Sequence, residues 1–198
     1  MILIFLLSYL FFYQVQKEDI IIDSNFTFEE SLAGISIPQH IIKQLELVDV
    51  HYYSFDGKLH KGQLLINKKV KDDILEIFNL IKETKFPVAK VIPISYYNWD
   101  DEKSMNDNNT SAFNYRLIKN TKVYSYHSYG LAIDINPMQN PNVKRGKILP
   151  DKAVYNPEAP GTLTNKSQIV REFIKRGWQW GGNWKSSKDY QHFEKRLR

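Results

Sequence analysis

Residues 125–137 read SYHSYGLAIDINP, and the fold turns on this run. Leu131, Ile133 and Ile135 alternate with Ala132, Asp134 and Asn136, the period of a strand whose aliphatic side is buried. Asp134 therefore sits on the opposite side, beside small Ala132. A carboxylate so close to apolar packing is costly unless something positive satisfies it. Gly130 permits a turn just before the strand, which brings His127 back beside Asp134. One imidazole and one carboxylate then point at the same spot.

Outward from this strand, Val48 to Ser54 and Leu59 to Ile66 are β-rich runs with Asp56-Gly57 between them, the pattern of a hairpin. Asn67 is placed to cap a helix from about Lys68 to Thr84, where Val70, Ile74, Ile77, Phe78 and Ile81 follow the helical period. Residues 88–97 predict an edge strand bearing Pro93. The run DDEKSMNDNNTSA, 100–112, has no apolar periodicity and predicts a polar loop, and 138–164, rich in Pro, Asn and Gly, predicts a long functional loop. A second helix is expected over Ser167 to Arg176, with Gly177 past its end, before two aromatic strand fragments around Gly181-Gly182. Strands and helices in this order, without a βαβ rhythm, predict an α+β fold: an antiparallel sheet flanked by helices.

The length of 198 residues suits one domain with a real core, over 21–198. Residues 2–13, ILIFLLSYLFFY, carry no charge, and their length suits a secretory signal or signal-anchor over 1–20. A buried N-terminal helix is the alternative, but the run lacks a polar face. The chain has no Cys, which excludes disulfides, a lipid-anchored cysteine and a thiolate metal site. Its net charge of +5, from 27 Lys and Arg against 22 Asp and Glu, favours residence near a polyanion such as a bacterial wall. The basic residues are dispersed and no aromatic-basic module appears, so nucleic-acid binding is not expected.

A metal held by this chain must use imidazole and carboxylate. Three such ligands with an open fourth position is the catalytic zinc pattern. His127 and Asp134 supply two, and the third comes from His40, His51, His60 or His192. His192, in DYQHFE, is favoured because an acid lies three residues before it and Phe193 behind it. His51 and His60 flank the hairpin and read as ordinary strand residues; His40 follows a proline and has no evident partner.

Ser125, His127, Gly130, Ala132 and Asp134 fill the fixed positions of an SxHxxGxAxD pattern, and Asp189 with His192 supplies an acid followed three residues later by histidine. In both respects the chain resembles the zinc D-alanyl-D-alanine carboxypeptidases and L-alanyl-D-glutamate endopeptidases that cut peptidoglycan stem peptides. The resemblance runs from Phe113 onward. It implies a hedgehog/DD-peptidase-like zinc peptidase fold, Zn2+ held by His127, Asp134 and His192, and Asp189 as general base. It further implies that Arg116 holds a substrate oxygen, while Asn183 replaces an expected aspartate. Ser125 reads as a hydrogen-bonding support, since no acid-histidine relay surrounds it. Residues three apart on a regular strand face opposite sides, so Asp189 must lie on a bend before the strand of His192.

The expected reaction is removal of terminal D-Ala; cleavage between L-Ala and D-Glu, or a non-catalytic zinc-binding wall module, are the alternatives. A lysin released without a signal fits the same motifs but not the apolar leader. The expected setting is the cell envelope, periplasmic or extracellular, with a peptide substrate, a membrane anchor through the leader and a monomeric state. Trp178 and Trp180 read as core rather than as a substrate wall.

Overall fold

The computed structural model describes residues 19–197; the apolar leader at 2–13 lies outside them. The elements are mixed α and β, as the order of patterns predicts, but the strands are divided among small sheets rather than gathered into one. Strand β1 (Ile21–Ile22) lies parallel to β3, and helices α1 (Phe28–Ser31) and α2 (Gln39–Ile42) follow it. Strands β2 (Leu45–Tyr53) and β3 (Leu59–Asn67) form the predicted antiparallel hairpin. The second strand is covered on both faces. Leu64 and Ile66 enter the main core, whereas Leu65 packs with Ile37, Ile41 and Phe113 on the other side.

Asn67 accepts from Lys69 N at 3.1 Å and caps a short 3-10 turn that leads into α3 (Lys71–Glu83). Ile74, Ile77, Phe78 and Ile81 of α3 pack against Val48, Val50 and Tyr52 of β2. Each such burial contributes roughly 1.5–3 kcal/mol, so this face fixes the helix on the sheet.

The predicted 88–97 strand is shorter than its pattern. Only β4 (Lys90–Val91) is paired, parallel to β5 (Asn109–Thr110), because Pro93 opens a 3-10 turn over Ile94–Tyr97. Residues 100–112 are not wholly a loop. Asp100 accepts from Lys103 N at 3.0 Å and starts helix α4 (Asp101–Asn106), whose first turn carries Asp101 and Glu102.

Strand β6 (Ala132–Asp134) follows, and Leu131, Ile133 and Ile135 reach the core as their alternation requires. The segment 138–164 is likewise more ordered than a loop. It holds β7 (Asn142–Lys144) and β8 (Lys147–Leu149), joined through Arg145 and Gly146 at φ +50° and +77°, a tight hairpin turn. Helix α5 (Gln168–Lys175) ends before Gly177, and β9 (Gln179–Trp180), β10 (Lys188–Asp189) and β11 (His192–Glu194) close the chain. Trp178 and Trp180 are buried in the main core. Among the described residues, no helix is long and apolar enough to cross a membrane.

Candidate active site

Strand β11 lies antiparallel between β6 and β9, in a register that sets His192 directly opposite Asp134 and Glu194 opposite Ala132. Side chains opposite one another project to the same face, so the register alone brings an imidazole to a carboxylate. Small Ala132 leaves room for the Glu194 side chain.

His127 comes from a different element. Ser125 caps the 3-10 turn Tyr126–Tyr129, its Oγ accepting from His127 N at 3.3 Å, and Gly130 closes the turn at φ +64°. The turn closes against the end of β3, where Asn67 N donates to Gly130 O at 2.9 Å. The hairpin core therefore positions the histidine.

The three side chains converge. His192 Nδ1 lies 2.9 Å from Asp134 Oδ1, His127 Nε2 lies 3.3 Å from Asp134 Oδ2, and the two ring nitrogens are 3.2 Å apart. All three residues are buried. The far nitrogen of each ring is already engaged: His127 Nδ1 donates to Ala112 O at 2.5 Å and His192 Nε2 to Glu194 Oε2 at 3.3 Å. Those bonds orient the rings so that His127 Nε2 and His192 Nδ1 face the carboxylate. Two ring nitrogens and a carboxylate gathered at one buried point form a donor set that fits a zinc ion.

Burial alone would raise the Asp134 carboxyl, but His127 and His192 outweigh it and hold the group well below the usual carboxylate range. Burial alone would likewise lower His192, yet its bonds to Asp134 and Glu194 raise it.

Asp189 sits at the edge of the same cleft. It belongs to β10, paired with β7, while His192 belongs to β11 in another sheet, so the chain bends between them. Asn142 Nδ2 donates to Asp189 Oδ2 at 2.6 Å, whereas Oδ1 is buried without a partner. Burial foremost, with the Asp134 charge adding to it, pushes this carboxyl up to about 6.

The cleft encloses about 950 Å³ and is lined by the three converging residues, Asp189, Arg116 and Trp184, among others. Arg116 faces it already paired to Asp101 Oδ2 at 3.0 Å, with its Nε buried and unpartnered. Ser125 also lines it. Asn183 is exposed in the 3-10 turn Gly181–Asn183. Of the other histidines, His60 is held between Asp23 and Asp56 at 3.0 and 3.2 Å, clamping the hairpin to the segment before α1.

Several cleft residues escape the sequence reading. Glu194 was detectable as the position two beyond His192, on the same strand face. Asp101 and Met105 belong to the helix read as a loop, and Asn142 and the β7–β8 cations to the segment read as irregular.

Residues 119–195 match the family model described as D-alanyl-D-alanine carboxypeptidase. The likeness to that family is confined to this C-terminal segment. The matched segment holds Ser125, His127, Asp134, Asp189 and His192, while Arg116 and α4 precede it. The chain is also similar to a curated protein, the peptidoglycan L-alanyl-D-glutamate endopeptidase CwlK of Bacillus subtilis (strain 168), 38% identical over 73 residues. That alignment spans 35% of this chain and 38% of the relative. No solved structure matches the chain.

Proposed function

We propose that the protein is a zinc-dependent peptidase that hydrolyses peptidoglycan stem peptides, with 21–198 as one domain of hedgehog/DD-peptidase-like fold. One observation carries this reading. Two imidazole nitrogens and a carboxylate meet at a buried point beside a second carboxyl, Asp189, whose Oδ1 has no partner.

His127, Asp134 and His192 would hold the ion. Zinc bound there supplies a Lewis acid that polarises the scissile carbonyl and makes water acidic enough to deprotonate near neutral pH. Asp189 takes the proton of the attacking water on its free Oδ1 and returns it to the leaving amine. Asn142 holds the other oxygen still while this happens. Arg116, steadied by Asp101, faces the developing negative charge on the carbonyl oxygen. A non-catalytic zinc module has no use for a carboxyl with one buried, unpartnered oxygen at this place, which costs stability without return.

The bond first assigned is the terminal D-Ala-D-Ala link, after the description of the matching family. Cleavage between L-Ala and D-Glu is the second reading, supported by the activity in the relative's name. Either substrate is met in the cell envelope, and the proposal includes a monomer that acts there, periplasmic or extracellular, with the leader as signal or membrane anchor. The deciding experiment incubates zinc-loaded protein with a purified muropeptide pentapeptide and weighs the products. Loss of one D-Ala supports the first bond and release of the stem fragment the second; an unchanged pentapeptide contradicts both.

A further inference from the structure

The β7–β8 hairpin overhangs the cleft with three exposed cations at its tip, Lys144, Arg145 and Lys147, all of which line it. Among the described residues none of the three has an ion-pair partner. The other wall differs: Arg116 is paired with Asp101 at 3.0 Å and Lys119 faces Glu102 at 3.6 Å, both acids from α4. The cleft is thus positive on one side only.

The hairpin keeps these charges against its own stability. Lys144 and Lys147 are direct cross-strand partners, and like charges so placed repel. Arg145 occupies a left-handed turn position that Asn or Gly fills more readily. An anion received between them would remove the repulsion.

The hairpin also fixes which part of a substrate lies beneath it. Asn142, on the same face of β7 as Lys144 and about 7 Å away along the strand, bonds the acid that would protonate the leaving amine. The released residue therefore lies on the hairpin side. In both candidate reactions that residue bears a free carboxylate: D-Ala has its terminal one, and a glutamate linked onward through one carboxyl keeps the other.

Resting on the peptidase reading above, we infer that Lys144, Arg145 and Lys147 form a carboxylate-reading subsite for the residue released from the scissile bond. The unpaired tip supplies the attraction, and the bond from Asn142 to Asp189 ties the subsite to the reaction centre.

The test uses two soluble stem peptides that differ only in whether the released residue carries a carboxylate or a carboxamide. Binding to zinc-free protein is followed through Trp fluorescence, and cleavage by the zinc-loaded protein is followed separately. Wild type should bind the carboxylate peptide about fivefold more tightly, a margin that shrinks with added salt. The combined Lys144→Gln, Arg145→Gln, Lys147→Gln variant should bind both peptides alike. Retention of the preference by that variant, or its absence in wild type, overturns the subsite. So does a variant defect confined to intact wall, since that assigns the tip to a wall polyanion. Selective binding without cleavage of either peptide would instead defeat the peptidase reading while leaving the subsite in place.

Discussion

His192 donates its Nε2–H to Glu194 Oε2 at 3.3 Å, across two positions of one strand. The bond sets which ring nitrogen faces Asp134 and His127, so Glu194 would orient the proposed ligand from behind. Glu194→Ala should weaken zinc binding by about 10- to 100-fold, whereas Glu194→Gln, whose amide oxygen can still accept, should weaken it less. Competition against a chromogenic chelator measures both, and equal affinities in all three proteins would remove Glu194 from the site.

At the proposed metal site, zinc and protons would compete for His192. Without the ion, the bonds to Asp134 and Glu194 raise this imidazole despite burial, so it stabilises the fold below its unfolded value of about 6.5 and that stabilisation is lost as pH rises through the raised one. Asp134, held low, contributes above about 4 and is lost only in strong acid. Zinc uptake at neutral pH must displace the His192 proton. Calorimetry in two buffers of different ionisation enthalpy should register proton release, with affinity climbing from about pH 6 to 8.

Asp189 has the opposite sign. A buried carboxyl pushed up to about 6 destabilises the fold wherever the unfolded chain would be ionised. Asp189→Asn should therefore abolish cleavage, leave zinc bound, and stabilise the zinc-free protein by roughly 2 kcal/mol above pH 7. The gain should vanish below about pH 4, where both states are protonated. Urea unfolding at the two pH values checks this; a loss of stability at neutral pH would contradict the burial argument.

Gly130 closes the turn that delivers His127. Beyond its left-handed φ of +64°, a Cβ there would lie 2.5 Å from Asn67 N and 2.9 Å from Ile66 C. Gly130→Ala should cost roughly 3 kcal/mol or more, the sum of strain and clash. Gly57, at φ +75° with open space around it, is the control. Gly57→Ala should cost only about 1 kcal/mol in the same thermal melts.

The strand of Asp134 was legible because its aliphatic alternation is clean, and the hairpin of β2 and β3 and helices α3 and α5 were legible for the same periodic reason. Helix α4 was not. It has six residues, buries Ser104, and rests on its Asp100 cap more than on an apolar face. The β7–β8 hairpin was hidden by an Arg-Gly turn where Asn-Gly would have announced it. Convergence of His192 on Asp134 depends on register between β6 and β11, which no local pattern specifies; the motif resemblance, not periodicity, pointed to the pair.

The central claim is that one zinc ion is held by His127 Nε2, Asp134 and His192 Nδ1. Anomalous diffraction at the zinc edge from crystals of the zinc-loaded protein tests it most directly. A single peak about 2.0–2.2 Å from those two nitrogens and an Asp134 oxygen is the predicted result. A peak bound through other side chains, or none at that point, would contradict it.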